Sequence, residues 1–165
     1  MPYLRQSGDG HLVNISSLFG LVSMPASSAY NAAKFAVRGF TESVSEELLL
    51  ERAPVRVTCV HPGGIDTNIA RGGRVVPSER FGLVSAEQAG RDFKKLARTT
   101  PEQAAARIVD AMRRRKRRLL IGADAKIIDL VQRIAPAGYQ SVAVRFATIG
   151  LSASQKKRNS PEVIS

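Results

Sequence analysis

Three short apolar runs, HLVNIS at 11–16, VRVTCV at 55–60 and RLLIG at 118–122, are separated by segments whose apolar residues recur at helical spacing. That alternation constrains the fold more than any other feature of the chain. Short runs of this kind read as strands buried in a sheet. Strands that take turns with helices are joined in parallel by crossovers, and a parallel sheet needs helices on both faces. The expected architecture is α/β, a doubly wound parallel sheet of about three strands with flanking helices. Residues 1–152 form one domain in this reading, and the polar stretch 153–165 is a mobile tail.

The helical segments carry their own punctuation. Between 28 and 51, Ala29, Ala33, Val37, Phe40, Val44 and Leu48 fall on one helical face, with Ser27 or Ser28 as cap and Pro54 beyond the end. At 100–118, Thr100 as N-cap, Pro101 at the first helical position and Gln103 three residues after the cap make a capping box, with Ala105, Ile108, Val109 and Met112 as the expected buried stripe. AKIIDLVQRIA, 125–135, reads as a short amphipathic helix before Pro136. From Thr67 to Thr99 the chain is irregular, with Gly72, Gly73, Gly82 and Gly90 among arginines and lysines, a length that signals a functional lid or insert.

Composition removes several classes of function. Hydrophobic residues at 44% and charged residues at 24% belong to an ordinary globular protein. The apolar stretches are interrupted well before the roughly 18 residues a membrane-spanning helix needs, and MPYLRQSGDG lacks the apolar core of a secretory signal. The expectation is a cytoplasmic protein with no transmembrane segment. Cys59 is the only cysteine and sits in a strand, so it reads as a small core residue. No His, Cys, Asp or Glu spacing suggests a metal. The net charge of +11 is largely local, because six cations stand in RRRKRR at 113–118. That block reads as a solvated helix end favoured by the helix dipole, ahead of contact with anionic lipid or nucleic acid, which usually brings aromatics as well; no nucleic-acid partner is expected.

Chemistry enters with SSAYNAAKF, where Tyr30 and Lys34 stand four apart and so share one helical face. An ammonium a few ångströms from a phenol favours the phenolate, which makes a tyrosine useful as a general acid or base. Ser17 lies thirteen residues upstream, at the carboxyl end of the strand that feeds this helix. The second strand likewise runs at its carboxyl end into HPGGIDT, 61–67. In open α/β sheets these ends are where ligands bind. His61, beside the Pro-Gly turn, reads as a packing or hydrogen-bonded residue rather than a catalytic one, and Ser16 as a neighbour without a chemical role.

GHLVNISS, YNAAK and VHPGGIDT, in that order and spacing, resemble the C-terminal portion of the short-chain dehydrogenase/reductase family, over about Tyr3 to Ala123. The resemblance implies a partial Rossmann-like fold and an oxidoreductase that moves a hydride between NAD or NADP and a small-molecule alcohol or carbonyl substrate. It implies that Tyr30 transfers the hydroxyl proton, that Ser17 holds the substrate oxygen, and that Lys34 favours the phenolate and binds the nicotinamide ribose. Pro62, Gly63 and Ile65 would line the nicotinamide pocket by backbone, with the Thr67 hydroxyl on the carboxamide. The 28–51 helix would form a homo-oligomer interface in the complete enzyme.

Neither Gly-x-Gly-x-x-Gly nor the family's Thr-Gly-x-x-x-Gly-x-Gly is matched by the 13 glycines; Gly8 and Gly10 come closest to the first, but Val13 stands where its third glycine belongs. Two readings follow. The chain is an oxidoreductase by descent, or it is a catalytically inactive fragment or interaction module lacking the dinucleotide-binding half.

Overall fold

The structure, a computed structural model, describes residues 1–67 and 99–145. The segment expected to form the lid and the polar tail at 153–165 lie outside them. The elements in chain order are α1 (Pro2–Gln6), β1 (Gly10–Ile15), a 3-10 turn (Leu18–Gly20), α2 (Ser28–Leu50), β2 (Val55–Pro62), α3 (Pro101–Arg113), β3 (Arg118–Ile121) and α4 (Ala123–Ile134). Residues 139–145 are helical.

The three strands form one parallel sheet in the order β1-β2-β3. Gly10 pairs with Val55 through to Ile15 with Val60, and Cys59 pairs with Arg118 through to Pro62 with Ile121. The central strand is buried at Val55 and at every position from Val57 to His61. Successive side chains on a strand alternate between faces, and the two halves of the core follow that alternation. Val55 and Val57 pack with Leu48 of α2, with Leu4 and Leu12 beside them. Val60 packs with Ala104 of α3 and Ile121, with Val13, Ile108 and Leu119. The helices therefore lie on opposite faces, as a doubly wound sheet requires. Both connections step the same way across the sheet, so the two crossovers have opposite hands, and one departs from the usual right-handed rule.

Polar groups tie the layers together. The buried Thr58 hydroxyl donates to the Lys116 carbonyl at 2.6 Å, so the His11 Nε2–H, 2.7 Å away, donates to Thr58, and one row joins β1, β2 and the turn before β3. On the other face Asn14 Nδ2 donates to Thr41 Oγ1 at 3.0 Å.

Five expectations need correction. β1 starts at Gly10 and stops at Ile15, leaving Ser16 beyond the strand. β2 runs past residue 60 to Pro62, because a proline is tolerated at the end of a ladder and the Gly63 N–H carries on by donating to the Ile121 carbonyl at 2.8 Å. Of the expected stripe on α2, Leu48 is buried and Val37 and Val44 are half-buried, but Ala29, Ala33 and Phe40 are exposed, and the buried side also carries Asn31 and Thr41, the latter meeting Asn14 of β1. In α3 the buried residues are Ala104 and Ala111, with Ile108 and Met112 half-buried and Ala105 and Val109 exposed; small residues let this helix approach the sheet. The basic block is a helix end only at Arg113: it continues through a turn, and Arg118 begins β3 and pairs with the buried Asp129 at 2.5 Å. Of the caps, Thr100 makes the full box with Gln103, while Ser27 is the N-cap of α2 with no side-chain capping bond.

The phase of α2 is testable, since Leu48 is 4% exposed and Phe40 is 61% exposed. Leu48→Ala should cost about 2–4 kcal/mol in urea unfolding. Phe40→Ser should stay within about 0.5 kcal/mol. Comparable costs would place Phe40 in the core instead.

Candidate active site

β1 ends where the chain turns toward α2, and around that turn Phe19 of the 3-10 turn meets Tyr30 while Lys34 reaches the Ile15 carbonyl. Ser17 has extended backbone and caps the 3-10 turn, its Oγ accepting from the Phe19 N–H at 3.1 Å. The Phe19 ring meets the Tyr30 ring edge to face, with centroids 5.9 Å apart. Lys34 Nζ lies 5.6 Å from the Tyr30 ring centroid. It also donates to the Ile15 carbonyl at 3.1 Å, and Tyr30 itself is exposed. An accessible phenol beside an anchored ammonium is the arrangement that proton transfer asks for.

Ser16 holds this arrangement. Its hydroxyl is buried and donates to the Lys34 carbonyl at 2.8 Å, while the Lys34 ammonium reaches back to the carbonyl of Ile15. Helix and strand end are thus tied in both directions. Gly20 lets the third segment in: a Cβ there would fall on the Ser16 hydroxyl and the Lys34 carbonyl. The sequence carries no signal for Ser16 beyond its being the first serine of NISS.

His61 is fully buried, and its Nδ1 lies 3.1 Å from the Ser17 carbonyl. A carbonyl only accepts, so Nδ1 carries the proton; Nε2 is buried without a partner. Burial pushes the imidazole below its ordinary value of 6.5, the Ser17 carbonyl opposing this and Arg118 and Arg38 reinforcing it. A neutral ring is therefore built in behind the serine, in agreement with the hydrogen-bonded role expected for His61.

At the end of β2, Gly63 and Gly64 turn against the start of α4. The Gly64 N–H donates to Asp124 Oδ2 at 2.8 Å. A Cβ at Gly63 would fall on the Asp124 carboxylate, so any side chain there would have to push Asp124 aside. Ile65 pairs with Thr99 across an isolated parallel bridge, and the Asp66 N–H donates to the Thr99 carbonyl at 3.0 Å. Pro62, Gly63 and Ile65 are half-buried, and Thr67 is exposed. Asp124 escaped the sequence reading because it lies 60 residues from its partner. Its one local signal was an acid in the first turn of a helix. No cluster of metal-ligating side chains occurs among the described residues.

The pH dependence of stability follows from His61. The unfolded chain takes up a proton below about 6.5 that the buried ring refuses, so stability is complete above that pH and falls as the pH drops through it. His11, also lowered, by burial and then by Arg56, contributes in the same direction. Tm measured between pH 8 and 5 should fall on the acid side for the parent, and His61→Asn should make that slope shallower; an unchanged slope would show that His61 titrates normally.

Residues 1–74 match the family model described as short chain dehydrogenase. "Putative oxidoreductase SadH" of Mycobacterium tuberculosis is 49% identical over 142 residues, covering 85% of this chain and 49% of that protein. "Uncharacterized oxidoreductase YxnA" of Bacillus subtilis is 34% identical over 134 residues, covering 81% of this chain and 35% of that one. A solved short chain dehydrogenase from Burkholderia cenocepacia, in complex with NADP, superposes with a TM-score of 0.60 at 26% identity, covering 87% of this chain and 49% of that chain. The chain thus spans no more than about half the length of these relatives. With the parallel sheet, the Tyr30/Lys34 pair and the Pro-Gly turn in place, these matches make the chain a member of the short-chain dehydrogenase/reductase family.

Proposed function

We propose that these residues form the catalytic half of an oxidoreductase that acts on an alcohol or carbonyl compound with NAD or NADP. The observation that carries this reading is the exposed Tyr30 beside a Lys34 ammonium anchored to the Ile15 carbonyl. The NADP bound to the Burkholderia cenocepacia dehydrogenase supports the choice of cofactor class. The residues present suit such a group. Lys34 spends one of its three N–H donors on Ile15 and keeps two for ribose hydroxyls.

When bound, the nicotinamide supplies or accepts the hydride. The substrate oxygen is then held by the Ser17 hydroxyl, preorganised by its place at the head of the 3-10 turn. Tyr30 gives that oxygen a proton in reduction and removes it in oxidation, and Lys34 stabilises the phenolate left behind. Pro62, Gly63 and Ile65 present backbone to the nicotinamide, with Thr67 on its carboxamide. Ser16 and His61 touch neither substrate nor cofactor and act by holding Lys34 and Ser17.

A second reading, a fragment without turnover of its own, is favoured by the share of its relatives that the chain spans. Titration of the 165-residue chain with NADH and NADPH separates the two. We expect no saturable binding, because no glycine-rich phosphate turn occurs in this sequence; a saturable rise in Tm would overturn the fragment reading. In an active full-length form, Tyr30→Phe should lower kcat by about 10²- to 10⁴-fold with cofactor Kd unchanged. Lys34→Ala should weaken cofactor binding as well. Turnover within about tenfold of the parent for Tyr30→Phe removes the tyrosine from proton transfer.

A further inference from the structure

The basic block and the fourth helix remain without a use in this scheme. α4 is built inside out. Its buried residues are Ala125 and Asp129, while Ile127 at 62% exposed, Leu130, Val131 and Ile134 at 75% exposed form a stripe on the outside. Spacings of three and four residues put these aliphatics on one face. The acids of this helix are turned inward: Asp124 accepts from Gly64, and Asp129 is held by Arg118 and Arg133. The charged residues that α4 shows to solvent are Lys126 and Arg133.

The contacts of Asp129 tie the last turn of α4 to the first residue of β3. Arg113, Arg114, Arg115, Lys116 and Arg117 run up to that residue, and all five are exposed. Only Arg114 has an acid beside it in the described residues, Asp110 at 2.8 Å. An aliphatic stripe with cations at its side and a cluster of cations at its end is therefore one continuous feature.

We propose that this surface docks on an anionic lipid bilayer, with the α4 stripe entering the acyl boundary and the 113–117 cluster lying against the headgroups. Charge complementarity selects the occupant. A second copy would bring the same cations face to face. Nucleic acid would use the cations but leave four exposed aliphatics in water, and no aromatic residue stands among them. A bilayer satisfies both halves, because amphipathic helices bind membranes by apolar burial together with attraction to anionic lipid. The attachment is peripheral, since no helix among the described residues is long and apolar enough to cross.

The test is flotation of the 165-residue chain through a density gradient, which separates bound protein from aggregates. Vesicles of phosphatidylcholine with phosphatidylserine are compared with phosphatidylcholine alone. We expect the chain to float with the anionic vesicles only. Each cation near such a surface is worth roughly fivefold in affinity, so Arg113→Gln, Lys116→Gln and Arg117→Gln together should weaken binding by about a hundredfold. Leu130→Glu with Ile134→Glu should abolish flotation while far-ultraviolet circular dichroism stays at the parent's; if that pair disturbs the helix, Leu130→Ser with Ile134→Ser takes its place. No flotation of the parent overturns the proposal, as does equal flotation of either set of variants. Lipid-free dimerisation that the Leu130 and Ile134 changes abolish assigns the face to a second copy. Binding to duplex DNA that competes with vesicles and ignores those changes assigns the cations to nucleic acid.

Discussion

A parallel strand buried on both faces has to satisfy four demands at once: a partner along each edge and an apolar cover over each side. β2 meets all four between β1, β3, α2 and α3, and the active-site geometry descends from that. Its alternation sends Val55 and Val57 to α2 and Val60 to α3. It therefore also decides that His61 stands behind Ser17 and that Pro62 delivers the glycine turn to the foot of α4. Displacing the strand by one residue would exchange its two faces, and the imidazole with them.

Around the carboxyl ends of the strands, chemistry and support fall to adjacent residues. Ser17 presents its hydroxyl at the turn while Ser16 turns inward to the helix backbone. Tyr30 is open to solvent and Asn31, next to it, is buried and donates to the Met24 carbonyl at 2.9 Å. Gly63 gives up its side chain so that Asp124 can reach Gly64. In each pair one residue is left open while its neighbour, or the residue it makes room for, is held by a hydrogen bond, which is how a small site holds its shape without a large enclosing shell.

What was legible in the sequence was local. The capping box of Thr100 and Gln103 involves residues three apart, and the structure holds both of its hydrogen bonds. The alternation of strand and helix, and the meeting of Tyr30 with Lys34, likewise depend on short spacings. What was not legible was decided across the chain. The phase of α2 is set by Thr41 meeting Asn14, a pair of polar residues that a search for apolar stripes passes over. Asp124 and Gly64 have no sequence relation, and Arg118 belonged to a run of cations until Asp129 drew it into the core. The 3.6-residue period reports that a helix has a face, not which of its faces the sheet will take.

The hydrogen-bonded row through Thr58 has a consequence in time. Its two links join residues 47 and 58 positions apart, so the hydrogen-bonding partners of β2 within the sheet lie far along the chain in either direction. Closing loops of that size must precede any reward from pairing, and chains dominated by such contacts fold slowly. The helices need no such search, since their bonds are local and form within about a microsecond. Pairing of β2 with β1 and β3 is therefore the step that carries the largest loop-closure cost.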